Sequence, residues 1–228
     1  MKVIVKNARM SFNALFKPKA FGDNPDPKFS LTAICSDDTT VKVQETKPET
    51  GEVRYVTKPH SFLKKVCDRV FKEKFGKLDA VYSNWVYNKA DGSDTRKKFV
   101  DKTTGDYRPG TDADTFLIDA ATKEADAAYK HPETGEVVSG KIQVVDQKRQ
   151  LMKDNDARMY SGCYINFSID VYAFDHPKSG KGVSAQLVGV QLKADGERFG
   201  GGGVTDATTE FDDEEIDEED EADDGDWD

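Results

Sequence analysis

From Cys163 to Phe174 every odd position is apolar, through Ile165, Phe167, Ile169, Val171 and Ala173. The even positions, Tyr164, Asn166, Ser168, Asp170, Tyr172 and Phe174, are polar or aromatic. Strict period two over this length describes one long strand with one face in a core and one face out. Gly182 to Leu192 pairs with it across a loop read as Asp175 to Lys181. In that second strand Val183, Ala185 and Leu187 share a face, but Val188, Val190 and Leu192 lie on the other. A change of face beside Gly189 calls for a bulge or sharp coil, which closed barrels need.

Most of the remaining body also reads as strand. Val3, Ile4, Val5, Ala8, Met10 and Phe12 alternate across Lys2 to Phe16, and Phe29, Leu31 and Ala33 across Lys28 to Ile34. Lys17-Pro18 and Asn24-Pro25-Asp26-Pro27 read as an irregular loop between them. Val41 to Val56 reads as a hairpin turned by Pro48-Glu49-Thr50-Gly51. One helix is predicted, from Pro59 to Phe75, where Phe62, Leu63, Val66, Cys67, Val70, Phe71 and Phe75 form a buried stripe and Gly76 a stop. Several long strands, one helix and long loops predict a mainly β fold, a small β-barrel of the OB type. On this reading residues 37–58 and about 83–140 are elaborations of the barrel.

The last nineteen residues, Glu210 to Asp228, carry fourteen carboxylates and no Lys or Arg. They dominate the net charge of −10; without them the body holds 33 basic against 29 acidic residues, a net of +4. Such a block cannot bury enough surface to fold alone and is expected to be a disordered, solvated arm. The predicted organisation is a domain over 1–199, a Gly-rich linker over 200–209 and the acidic tail over 210–228. Charge attraction should bring arm and body together, and any surface that accepts the arm should accept other polyanions. The bland alternative is a solubility device. Asp224, Asp226, Trp227 and Asp228 argue for more, since an aromatic flanked by carboxylates suits a pocket with a basic rim.

Enzyme and metal chemistry find little support. Cys35, Cys67 and Cys163 are widely spaced within apolar patterns and read as buried, reduced thiols of a cytosolic protein. His60, His131 and His176 stand far apart beside prolines, without zinc-site spacing. No nucleophile elbow or phosphate loop is present. Neither a signal peptide nor a membrane-length apolar run occurs. The expectation is a cytoplasmic protein that is not an enzyme and needs no cofactor or metal.

Residues 58–108 hold thirteen basic and seven acidic side chains. In the second half of that stretch aromatics interleave with cations: Trp85, Tyr87, Lys89, Arg96, Lys97, Lys98, Phe99, Lys102, Tyr107 and Arg108. Single-stranded nucleic acid needs this mixture, because aromatic faces stack unpaired bases while cations follow phosphates. The competing reading makes Trp85 and Phe99 core residues and the lysines ordinary surface. Tyr164, Tyr172 and Phe174 are either a stacking platform or the cap of a second core. Lys178 and Lys181 fall in the loop where OB barrels contact oligonucleotides.

The stretch Tyr160-Ser161-Gly162-Cys163-Tyr164, with Gly182-Val183-Ser184-Ala185 and Gly189-Val190-Gln191, resembles the phage single-stranded DNA-binding proteins grouped as the domain-of-unknown-function family DUF2815. Asn7-Ala8-Arg9-Met10-Ser11-Phe12, Lys28-Phe29-Ser30 and Val144-Val145-Asp146 fit the same pattern. Layout and tail also resemble the T7-type phage single-stranded DNA-binding proteins, with Trp227 where that type has Phe, and with Asp228 following it. The resemblance implies an OB-fold replication factor whose acidic arm competes with DNA and docks the phage DNA polymerase and primase-helicase. It also implies dimers and action in the host bacterial cytoplasm.

The expected function is therefore sequence-tolerant binding of single-stranded DNA in phage-type replication, recombination or repair. One rival is an acidic chaperone or DNA mimic that binds basic partners through the tail. A metal-dependent nuclease is a second, and strand annealing is an overlapping third.

Overall fold

A computed structural model describes residues 1–21, 24–46, 49–76, 82–83, 86–88, 100, 103–112, 115–177 and 180–199. For residues 12, 21, 24–25, 46, 82–83 and 86–88 it describes the backbone alone. The strands are β1 (Lys2–Phe21), β2 (Asn24–Cys35), β3 (Thr40–Thr46), β4 (Val53–Pro59), β5 (Tyr82–Ser83), β6 (Val86–Asn88), β7 (Phe116–Lys123), β8 (Ala128–Lys130), β9 (Val137–Ser139), β10 (Gln143–Val145), β11 (Tyr164–His176) and β12 (Gly180–Ala194). The helix α1 spans Leu63–Phe75.

Five of these strands close a ring. β1 pairs antiparallel with β2 on one edge and β11 on the other; β2 pairs with β7, and β11 with β12. The ring closes where β12 meets β7 in parallel at Gln186 and Ala121. This order, with one parallel seam, is that of an OB-type barrel, as the strand patterns predicted. The free edge of β12 is shared along its length: β10 takes Gly189 to Gln191, β7 Gln186, and β5 Gly182 and Val183. β3 and β4 form the expected hairpin, which adds to the first residues of β1.

The alternation in β11 is realised, with Ile165, Phe167, Ile169, Val171 and Ala173 buried in the core. The bulge expected beside Gly189 is present as well. Ser168 pairs with Gly189 and Ile169 with Leu187, so Val188 is the extra residue that restores Val190 and Leu192 to the core side. A second bulge lies in β1 between Val5 and Ala8, where Asn7 takes a φ of 62°. It explains why Val3 and Val5 are buried in one phase and Ala8 and Met10 in the other. Phe29, Phe116 and Phe167 fill the barrel, each stabilising it by about 1.5–3 kcal/mol relative to exposure.

α1 closes one end of the barrel. Leu63, Val66, Cys67, Val70 and Phe71 are its buried face, and Gly76 ends it in the left-handed conformation. Lys74 Nζ donates to the Ala173 carbonyl at 2.7 Å, which fixes the last turn on β11.

Three expectations are corrected. The loop between β1 and β2 is nearly all strand, because Pro18, Pro25 and Pro27 sit in a two-stranded ribbon that tolerates missing ladder bonds. Much of the loop read as Asp175 to Lys181 is strand, with β11 continuing through His176 and β12 starting at Gly180. Residues 83–140 are not wholly an elaboration, since β7 is a barrel strand. Its run Phe116-Leu117-Ile118 hides alternation because both faces are covered, and all three are buried.

Cys35, Cys67 and Cys163 are buried thiols outside any disulfide, and burial pushes the Cys35 and Cys163 thiols up. A thiol reagent at neutral pH is therefore expected to leave the folded protein largely unmodified and to titrate three thiols after denaturation. Rapid labelling of the native protein would contradict this packing.

Candidate nucleic-acid interface

Residues directly opposite one another on neighbouring strands share a face. Following the register across the outside of the barrel gives one continuous row: Ala194 on β12, Tyr164 on β11, Arg9 on β1, Ile34 on β2, Leu117 on β7 and Tyr87 on β6. A second row, nearer the tip of the β1–β2 hairpin, is Lys19, Lys28 and Lys123. Six residues of β2 separate Ile34 from Lys28, so the rows lie about 20 Å apart. Between them Thr32 Oγ1 donates to Asp119 Oδ1 at 2.6 Å. An outer face with a cationic end and an apolar, arginine-bearing end is thus laid across β1, β2 and β7.

Charge on this face is partly committed. Lys123 Nζ donates to Asp26 Oδ2 at 2.7 Å, and this hydrogen bond, followed by the attraction of the ammonium, lowers the Asp26 pKa. Lys19 is exposed and Lys28 half-buried, and exposed Lys17 precedes them on β1. These lysines are the local source of positive potential at the hairpin end.

The chain leaving β12 runs back over the first row. Arg9 Nη2 donates to the Glu197 carbonyl at 2.6 Å, and Arg9 Nε to the Gly162 carbonyl at 3.2 Å. Tyr160 Oη donates to the Gly196 carbonyl at 2.9 Å and accepts from the Gly196 N–H at 3.0 Å. The Phe199 N–H donates to the Ser161 carbonyl at 2.9 Å. Arg198 stacks on Tyr160, with its guanidinium carbon 3.9 Å from the ring centre. Phe199 then packs against the pair Ile34 and Leu117, as does Val100. The Arg9 guanidinium lies 4.0 Å from the centre of the Phe199 ring and 5.5 Å from that of Tyr164.

The residues singled out from the sequence scatter over this geometry. Tyr87 takes a register position in the first row. Tyr164 is in the same row, half-buried beside Arg9. Tyr172 is 46% exposed and Phe174 half-buried, at the far end of β11. Eight residues of strand, about 26 Å, separate Tyr172 from Tyr164, so the three rings are not one contiguous platform. Lys181 stands on β12 rather than in a loop, with its ammonium 4.8 Å from the centre of the Phe75 ring at the end of α1. Tyr107 is 42% exposed and bridges to Val100, next to half-buried Arg108. Trp85, Lys89, Arg96, Lys97, Lys98, Phe99, Lys102, Lys178 and the tail residues Asp224, Asp226, Trp227 and Asp228 lie outside the described residues.

Arg9, Lys19, Lys28, Ile34, Leu117 and Phe199 were not singled out as site residues. Their only signal in the sequence was local: Arg9 on the polar phase of a strand, lysines at both arms of one hairpin, and a lone Phe after a strand had ended. Register brings them together.

The family of single-stranded DNA-binding proteins typified by that of Enterobacter phage Enc34 matches residues 1–223 of the chain. The chain belongs to this family. The expected kinship with phage single-stranded DNA-binding proteins is thereby borne out. A further relative, "Putative protein p50" of Acyrthosiphon pisum secondary endosymbiont phage 1, is 28% identical over 221 residues, 97% of this chain and 98% of that one. In structure, the chain resembles the single-stranded DNA-binding protein from bacteriophage Enc34 in complex with ssDNA. The TM-score is 0.55 at 20% identity, over 87% of this chain and 89% of that one. A C-terminal truncation of the Enc34 protein gives 0.54 at 19% identity, over 87% and 88%. At these identities the likeness is one of fold.

Proposed function

We propose that this chain binds single-stranded DNA without sequence preference on the outer face of β1, β2 and β7, in phage-type replication or recombination within the host cytoplasm. The observation that carries the reading is the pairing of two rows on one face: lysines for phosphates at one end, and Arg9 with an apolar floor and Tyr164 for bases at the other. Unpaired bases reward such a face, with roughly 1–3 kcal/mol per stacked base, whereas duplex bases are already stacked. The face is also the one on which OB barrels receive oligonucleotides, across their second and third strands. Membership of the family supports the same reading.

The interleaved residues Trp85 to Arg108 extend the surface beyond β7 in this proposal, since β6 lies alongside it. The acidic tail competes for the lysine row when DNA is absent. Once displaced, it offers Trp227 and its flanking carboxylates to replication enzymes such as a polymerase or primase-helicase. The chain works as a binding protein rather than an enzyme, and dimers are compatible with this use.

The test is fluorescence anisotropy of labelled oligothymidylate titrated with the full chain at two salt concentrations, with a duplex of equal length as competitor. Binding of the single strand in preference to the duplex, weakening with salt, is the expected result. No binding to the oligonucleotide, together with capture of basic proteins, would instead favour an acidic chaperone or DNA mimic.

A further inference from the structure

The ring of Phe199 occupies a flat slot whose construction is unusual for an ordinary packing site. One wall is the Arg9 guanidinium, stacked 4.0 Å from the ring centre. Another is bare backbone at Gly110, where an added Cβ would stand 2.3 Å from Phe199 Cζ. The floor is formed by Ile34 and Leu117, from the two strands at the centre of the candidate interface. A planar cation over a flat apolar gap accepts any aromatic plane of the right thickness, nucleobases included.

The segment carrying Phe199 is seated by few groups. From Asp195 to Phe199 it follows the row from β12 to the β2–β7 seam, five extended residues spanning about 17 Å. It is held by backbone bonds to Arg9, Tyr160 and Ser161, by Tyr160 Oη donating to Asp195 Oδ1 at 3.4 Å, and by the Arg198–Tyr160 stack. Asp195, Glu197 and Arg198 are exposed, and Phe199 is itself only half-buried.

We infer that the slot between Arg9, Gly110, Ile34 and Leu117 is a nucleobase site, and that Phe199 fills it in cis until a strand of DNA displaces it. The inference rests on the proposed DNA-binding reading and deepens it. A base and Phe199 cannot share the slot, so the strap and the DNA exclude one another. The apparent affinity is then lowered by the fraction of molecules in which the strap is seated. If nine in ten are closed, the cost is about tenfold. Displacement also frees the chain that leads into residues 200–228, so strand binding and release of that segment become one event.

Two variants of the full chain test this. Phe199→Ala empties the slot. Gly196→Ala unseats the strap while keeping the Phe199 ring, because its Cβ would stand 2.3 Å from the Gly162 carbonyl oxygen. Each is expected to tighten oligothymidylate binding about tenfold. As a second measurement, a fluorine resonance from 4-fluorophenylalanine placed at position 199 should move to its solvent-exposed position when oligothymidylate is added. If wild type binds but Phe199→Ala is weaker or unchanged, or the fluorine signal stays fixed, the slot inference falls and the DNA-binding reading stands. If neither wild type nor variants bind the oligonucleotide at any salt, both fall.

Discussion

Removal of residues 210–228 is expected to raise the affinity for oligothymidylate by about tenfold or more at 50 mM salt, with the difference fading toward 1 M. Fourteen carboxylates depart with that segment, and the net charge of what remains changes from −10 to +4. A tethered polyanion acts at an effective concentration that free competitors rarely reach, on the order of millimolar for a short flexible link. Its grip is ionic, so it loosens with salt faster than contacts made by base stacking. The measurement is a salt titration of full-length and shortened protein against the same labelled oligonucleotide. Equal affinities at every salt would remove the tail from any competition with DNA.

Neutralising the hairpin end should act in the opposite direction. Lys19→Gln combined with Lys28→Gln removes two cations from the second row, where Lys123 is already paired with Asp26. Each phosphate contact on a single strand contributes about 0.7 to the slope of log affinity against log salt, so the slope should fall by about 1.4. A slope change of that size amounts to about 25-fold weaker binding at 0.1 M salt, with little change near 1 M. Lys65→Gln with Lys72→Gln, on the exposed side of α1, serves as the control and should stay within about twofold. An unchanged slope in the hairpin variant would place the phosphate path elsewhere.

The parts of the fold legible in the sequence were those whose pattern is local. β11 showed itself by alternation, and the bulge at Val188 by a break in alternation beside Gly189. α1 was readable from its three-four spacing and its terminal glycine. What could not be read was anything produced by register between distant strands. β7 looked irregular because Leu117, on its outward phase, is buried under Phe199, more than eighty residues later in the chain. Arg9 carries no local sign of its role, since its partners Glu197 and Phe199 lie at the other end of the described chain. The same blindness affected the binding surface. The density of charge and aromatics between Trp85 and Arg108 drew attention to one stretch, whereas Lys19, Lys28 and Lys123 come from three strands and form no run in the sequence.

The seam at β12 has a consequence for how the protein comes into being. That strand borders β11, β10, β7 and β5, and β1 cannot complete its ladder without β11. A nascent chain therefore cannot shut its barrel until about residue 190 has been synthesised, and β1, though able to pair with β2 and β3, must wait for β11. Assembly of this kind is governed by contacts far apart in sequence and proceeds slowly. Truncated or stalled products should accordingly precipitate or be degraded rather than persist as smaller folded units.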